Sequence, residues 1–432
     1  MAEKNRGWIV TFSGTGINLA LGVLYTWSVI KGSIPDSWGW DAASKALPYS
    51  VACLIFSLAM IPAGRLQDKI GPRWVATIGG ILVGVGCLVA GAMGSSLMGF
   101  VIGFGVLGGI GIGFGYASAT PPAVKWFPPA KTGMIAGLVV AGFGLASVYI
   151  APLATYLLNA FSTVTESGVV EKGISSTMIV FGIGFCVVVV LLSQLLQNPP
   201  PGYVPAGASP GTPGKPSAAA AVNVPWMEML KDPQFYVLWL MYFCGAGVGL
   251  MIIGTASQLG KASLGTNAFW AVAVLAIGNA GGRILAGLVS DRIGRQATLM
   301  LAYLLQALMV ILLIFVQKEA ALLLLIILLA GANYGANLSL FPSAAKDFFG
   351  LKNFGLNYGI LFTAWGIGGF VLPFIHGKIQ DAVKAGSSID PNISFYMASA
   401  LLLAAAALTF VSTMLAKRQA ARLLPNKQTA PA

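Results

Sequence analysis

Twelve runs of apolar residues, each near the length of about 20 that an α-helix needs to cross a bilayer, leave this chain little choice of fold. They fall at 8–30, 46–66, 74–93, 97–120, 133–157, 174–196, 233–257, 267–290, 296–316, 320–341, 355–377 and 393–416. Composition shows why these runs are not core helices of a water-soluble protein. Only 9% of the 432 residues are charged, against about 25% in soluble domains, and 57% are hydrophobic. So few charges could not clothe so much apolar surface in water, and the solvent of the folded chain is therefore lipid. The expectation is an all-α integral membrane protein whose first run, following Lys4 and Arg6 with no small-residue cleavage site, is retained.

Between the sixth and seventh runs stands PPPGYVPAGASPGTPGKPSAAAA (199–221), a Pro/Gly/Ala segment unable to build a core. The expected organisation is a six-helix bundle over 1–198, a linker over 199–232 and a second bundle over 233–432. Lys and Arg set the orientation. With the N-terminus inside, seventeen of the 25 fall in cytoplasmic segments and seven outside, which places both termini in the cytoplasm. The net charge of +12 forms no basic block able to track a phosphate backbone, so nucleic acid is not an expected partner. Cys53, Cys87, Cys186 and Cys244 all lie inside apolar runs without metal-ligand spacing and read as small hydrophobes.

The two halves echo each other. GRLQDKIGPR (64–73) follows the second run and GLVSDRIGR (287–295) follows the eighth. Gly64, Asp68, Lys69, Ile70 and Gly71 match Gly287, Asp291, Arg292, Ile293 and Gly294 at one offset of 223. PPAVKWF and PSAAKDF, after the fourth and tenth runs, match at 221. Two echoes at nearly one offset mark structural repeats. Glycine closes the turn, while Asp68, Lys69 and Arg73, with Asp291, Arg292 and Arg295, are placed to cap helix ends and latch one conformation.

Every acidic residue falls in a loop or at a helix end, and one cation, Arg283, sits well inside a run. A lone cation at that depth costs at least ~2.5–3.5 kcal/mol, so it must face a wet cavity or an acceptor. With no protein carboxylate at membrane depth, the economical partner is the carboxylate of a cargo, which guanidinium matches with two parallel hydrogen bonds. Asn279 lies one turn earlier on the same face, and Gly278 and Gly282 would let a neighbouring helix approach. Tyr116 and Tyr334 stand at similar places in the two repeats and, with Tyr25, are candidates to complete a central pocket. His376, the one histidine, titrates in the range of a proton carrier. Lys31 reads as an anion lure or a flanking charge. The glycine run from 103 to 115 contains G-x-G-x-x-G but lacks the strand and ribose-binding acid of a nucleotide site, and reads as a helix-packing face. One histidine and no buried acid leave no material for a catalytic or metal-binding constellation, so neither an enzyme nor a cofactor is expected.

The paired G-x-x-x-D-(K/R)-x-G loops resemble the signature of the major facilitator superfamily, and the resemblance covers nearly the whole chain. It implies two pseudo-symmetric six-helix bundles working by alternating access, with a monomer as the functional unit. WFPPAKTG (126–133), DPQFYVLW (232–239) and LFPSAAKDFFGLKNFGLNYG (340–359) further resemble the oxalate/formate antiporter and monocarboxylate porter branch, and most of all a bacterial proton-linked lactate-type transporter. WFPPAKTG departs from that branch, which usually has an acid and two bases after the proline. The resemblance implies a carboxylate site at Arg283, a lactate- or pyruvate-type cargo moving with a proton, and residence in the bacterial inner membrane. Dicarboxylate exchangers carry a second cation in the eleventh helix where Trp365 stands here, and animal monocarboxylate transporters carry an acid where Asn279 stands. The alternatives are an oxalate/formate-type exchanger or another exporter of the same fold.

Overall fold

The computed structural model describes residues 2–128, 131–164, 170–200, 203, 223–350 and 353–423, with the side chains of 2–5, Asp68, 132–133 and 418–423 excepted. Twelve helices in it are long and apolar enough to cross a membrane: Arg6–Ser33, Ala42–Gln67, Pro72–Ala92, Leu97–Lys125, Met134–Ala160, Ile174–Ser193, Pro233–Ile253, Phe269–Ile293, Arg295–Val316, Ala320–Phe349, Phe354–Lys384 and Ile393–Lys417. They are called spans 1 to 12 in that order. An even number returns the chain to the side on which it began, so Arg6 and Lys417 share one face. That face is the terminal face, and its opposite is the far face.

Each expected run corresponds to one span, and the differences lie at the ends and in two breaks. Spans 10 and 11 continue past their apolar runs through Lys346, Asp347, Lys378, Asp381 and Lys384. Backbone hydrogen bonding does not stop where lipid stops, so an apolar count underestimates such helices. Span 1 tightens into a 3₁₀ turn at Gly22–Thr26, and span 7 ends at Gly254–Thr255 before a further helix, Ala256–Leu264. The opening span of each half is thus broken toward the far face, a feature apolar counting does not register.

Packing follows the small residues. The span 4 glycines meet carbonyls of spans 2 and 3: a Cβ on Gly111 would stand 2.6 Å from Gly79 O, and one on Gly113 2.8 Å from Phe56 O. Spans 8 and 10 form the most intimate pair. Gly278 and Gly282 press on the Leu328 and Ala332 carbonyls, and Gly331 and Gly335 press back on those of Leu275 and Asn279. Any side chain at these four places would drive the two backbones apart. Spans 2 and 5, in the first half, pack on spans 11 and 8 in the second.

The repeat loops adopt one conformation. Gly71 and Gly294 hold φ 85° and 89° with ψ 161° and 158°, a region open to glycine and strained for other residues. Arg73 donates through Nε (3.1 Å) and Nη2 (2.6 Å) to Gln194 O at the end of span 6. Arg295 pairs with Asp291 at 2.8 Å and Asp347 at 3.5 Å, and also bonds Ser290 Oγ. Both arginines thus tie helices of their own half together. Lys69 and Arg292 are exposed, Gly64 and Gly287 meet open space, and the Asp68 side chain lies outside the described residues. No ion pair among the described residues joins the halves at the terminal face. Of the expected linker, only the ends are described; they include a short helix, Trp226–Met229, and a bond from Val224 N to Phe349 O.

Candidate functional site

Arg283 follows Gly282 of the span 10 interface and is turned from it toward span 5, and it is 8% exposed. Its Nε donates to Asn279 Oδ1 at 3.2 Å, one helical turn away, and its Nη1 donates to the carbonyl of Val140 in span 5 at 2.8 Å. The only buried guanidinium among the described residues therefore bridges the two halves. None of its described partners is a carboxylate.

Asn279 is fully buried, and its Nδ2 has no hydrogen-bond partner among the described residues. A buried amide donor left unpaired costs about 1–3 kcal/mol, so a native site normally uses it. Its direction is informative. A Cβ placed on Gly144 would stand 3.5 Å from both Asn279 Nδ2 and Arg283 Nη2. Two donors converge on the space that Gly144, lacking a side chain, leaves open.

The cavity around Arg283 is walled by Tyr25, Phe56, Tyr116, Phe143, Leu338, Phe362 and Trp365 and measures about 180 Å³, too finely divided to admit a water-sized sphere. Its aromatic rings are interlocked. Phe143 stands edge-on to Tyr25 (4.9 Å) and Tyr116 (5.3 Å), and Phe56 edge-on to Trp365 (5.1 Å). Tyr116 also lies within interaction range of the guanidinium. Tyr334 completes the roof: its hydroxyl is 2.7 Å from that of Tyr25 and accepts from Trp365 Nε1 at 2.8 Å. Tyr25 reaches this position because the 3₁₀ turn aims it inward, with Gly22 pressed on the Phe143 carbonyl.

Beyond that roof the halves are bonded together. Tyr49 donates to Leu250 O (3.0 Å), Gln258 to Ser28 O (2.7 Å), and the Asp381 carboxylate accepts from Ala42 N (2.5 Å) and Ala43 N (2.9 Å). These inter-half bonds lie at Tyr25 or farther toward the far face, whereas Arg283 joins the halves deeper, at Val140 and Tyr116. Outside this plug a far-face cavity of about 810 Å³ is lined by Lys45, Lys172 and Lys261 together with Asp36 and Glu171.

The structure thus gathers Arg283, Asn279, Tyr116, Tyr25 and Tyr334 at one place. It does not bring His376 there: that ring bonds Ser394 Oγ at 2.7 Å, nearer the far face, at the start of span 12. Sequence reasoning missed the apolar walls, Phe56 above all. A signal was available, because the repeat offset of 223 pairs Phe56 with Asn279 and Met60 with Arg283.

Twelve membrane-spanning helices enclosing a polar pocket at mid-depth, with a cavity on one face and a bonded plug between, define a membrane transport protein. The chain belongs to the Major Facilitator Superfamily, whose profile matches residues 8–373 and 261–430. It is similar to the oxalate:formate antiporter of Oxalobacter formigenes, 27% identical over 79% of this chain and 77% of that protein. Apicoplast pyruvate carrier 1 of Toxoplasma gondii is 25% identical over 83% and 82%. Among solved structures, a bacterial homolog of the human lysosomal transporter Spinster, inward-facing and unoccupied, superposes with a TM-score of 0.66 at 16% identity, covering 95% of this chain and 97% of that one. This last likeness concerns the fold.

Proposed function

We propose that this protein carries a small monocarboxylate of the lactate or pyruvate type across the bacterial inner membrane by alternating access, together with a proton. The observation that carries the reading is the convergence of Arg283 Nη2 and Asn279 Nδ2 beside Gly144, with Arg283 also lining a small pocket walled mainly by aromatic rings. A carboxylate there accepts from both donors, and the aromatic walls suit a short hydrocarbon tail. With one guanidinium lining the pocket, one carboxylate balances the site. The excess of Lys and Arg on the terminal face makes that face cytoplasmic, and the far face external.

In this reading the two bundles, 1–198 and 233–432, rock about the site. Arg283 held by Val140 O couples the halves; an arriving carboxylate replaces that carbonyl and neutralises the guanidinium, which lowers the cost of closing protein around it. Uptake of an anion alone opposes the membrane potential by about 2.3 kcal/mol per charge per 100 mV, and a co-transported proton removes that penalty. Exchange of one carboxylate for another is also electroneutral, and likeness to an oxalate:formate antiporter favours it as the second reading.

The test is uptake of labelled lactate into proteoliposomes, with and without an inward proton gradient, for wild type and Arg283→Ala. Gradient-driven uptake that the variant loses is the expected result. Uptake unaffected by the gradient but stimulated by internal lactate selects exchange. Absence of lactate uptake in wild type overturns the cargo, and full uptake by Arg283→Ala overturns the site.

A further inference from the structure

We propose that the Tyr25 hydroxyl is a hydrogen-bond donor that selects cargo oxygenated at carbon 2, a 2-oxo or 2-hydroxy acid, over a plain carboxylic acid of the same length. The inference rests on the monocarboxylate reading above and deepens it, naming the part of the cargo that Tyr25 reads.

The chain of hydrogen bonds in the roof has a direction. An indole N–H can only donate, so Trp365 Nε1 gives its hydrogen to Tyr334 at 2.8 Å. The Tyr334 and Tyr25 hydroxyls, 2.7 Å apart, hold two hydrogens for one contact, and neither oxygen has another partner among the described residues. One hydrogen is therefore left over. If Tyr25 donates, the spare hydrogen lies on Tyr334, which is 1% exposed and does not line the cavity. A buried donor without an acceptor is costly, and a cargo in the cavity does not reach it there. If Tyr334 donates, the spare hydrogen lies on Tyr25, which does line the cavity and is open to a cargo. The second arrangement is the one in which both hydroxyl hydrogens find an acceptor once cargo is bound. It also runs in one sense, from Trp365 through Tyr334 to Tyr25, and bonds aligned in this way polarise one another.

The walls decide which cargo atom Tyr25 meets. The carboxylate is engaged by Arg283 and Asn279, with Tyr116 beside the guanidinium. Phe56, Phe143, Leu338 and Phe362 offer no polar group, and the Trp365 N–H is already given to Tyr334. A cavity of about 180 Å³ takes a short cargo. With its carboxylate kept on Arg283, such a cargo offers Tyr25 an oxygen on the adjacent carbon. An unsubstituted acid puts C–H against the hydroxyl and leaves the hydrogen unpaired. Sites built to bond a polar group reject the analogue lacking it, because their own group is then stranded. Phenylalanine at position 25 would fill the same space without that preference.

The test is equilibrium binding of pyruvate, lactate and propionate to full-length protein in nanodiscs, by calorimetry, for wild type, Tyr25→Phe and Tyr334→Phe. Propionate matches the other two in carbon count and charge and lacks the 2-oxygen. Wild type should bind pyruvate and lactate more tightly than propionate. Tyr25→Phe should lower that ratio by about 3- to 10-fold, with propionate bound as well as before. Tyr334→Phe leaves Tyr25 its hydrogen, so the ratio should persist. Equal weakening of all three acids in Tyr25→Phe, or an unchanged ratio there, overturns the selection. A preference absent from wild type that emerges only in Tyr334→Phe overturns the direction of the chain. Binding of all three acids without distinction by wild type overturns this inference alone, whereas binding of none overturns the monocarboxylate reading and the inference with it.

Discussion

Spans 2 and 8 occupy equivalent places in the two repeats and are followed by turns of nearly identical backbone angles, yet they present opposite chemistry to one cavity. Span 8 contributes Arg283, bonded to Asn279 one turn earlier; span 2 contributes Phe56, which stands at the repeat position of Asn279. Phe56 is 1% exposed and packs edge-on against Trp365, walling the pocket that Arg283 charges. Their supports differ as well. Span 8 is pressed on span 10 by glycines from both helices, whereas at the span 2–span 4 contact the glycines come from span 4 and meet both carbonyls and side chains of span 2. In the proposed function the repeat supplies two poles for a small amphipathic anion, one for the carboxylate and one for the tail. Symmetry of scaffold and asymmetry of chemistry are separable, because backbone geometry is set by turns and small residues while the pocket is set by a few side chains.

Removing the polar pole should have the largest effect. Arg283→Ala forfeits charge-assisted bonds of about 1.5–3 kcal/mol each and should lower lactate uptake by roughly 100-fold or more. Arg283→Lys should recover only part of it, since an ammonium cannot make the paired contact. A strong remaining uptake in Arg283→Ala would break the comparison by making the poles interchangeable. Next, Gly335→Val drives span 10 off the Asn279 carbonyl and tilts the polar pole. Overpacking of this kind costs about 1–3 kcal/mol and should lower the thermal midpoint in detergent.

Trimming the apolar pole comes third. Phe56→Ala removes burial worth about 1.5–3 kcal/mol, so the KM for lactate should rise by about tenfold while longer monocarboxylates gain relative to it. An unchanged preference among chain lengths would show that Phe56 supports the fold and does not contact the tail. Tyr25→Phe removes one hydroxyl of the roof, worth about 0.5–1.5 kcal/mol, and should alter uptake by a few-fold. Smallest of all is Arg295→Ala. Asp291 is 67% exposed, such surface pairs contribute about 0–1 kcal/mol, and the melting midpoint should hardly move.

Much of the scaffold was legible in the chain itself. Span number followed from apolar run length, because a bilayer imposes one thickness on every crossing. Arg283 could be singled out because a charge in lipid is costly enough that its presence demands a reason, and Gly278 and Gly282 announced a close neighbour. The partner of those glycines, span 10 through Gly331 and Gly335, was not legible, since several spans carry small residues at the same spacing. Span breaks at Gly22 and Gly254 also escaped, as their composition is no less apolar than their surroundings. The charges of the repeat loops were readable as a motif but not as contacts, because a long exposed side chain can reach several acceptors with similar energy.

Sequence by itself thus determined the solvent, the number of crossings, the two-fold repeat and the one cation that lipid would not tolerate unpaired. These are consequences of transfer free energy, which depends on what each residue is and on its neighbours along the chain. Tertiary structure alone decided that Arg283 takes a carbonyl from the opposite half, that Asn279 Nδ2 stands beside Gly144 without a partner among the described residues, and that Asp381 caps span 2. Those depend on which helix faces which across the bundle, and with every span apolar enough to cross the bilayer, the fit of glycines, rings and backbone carbonyls distinguishes one neighbour from another.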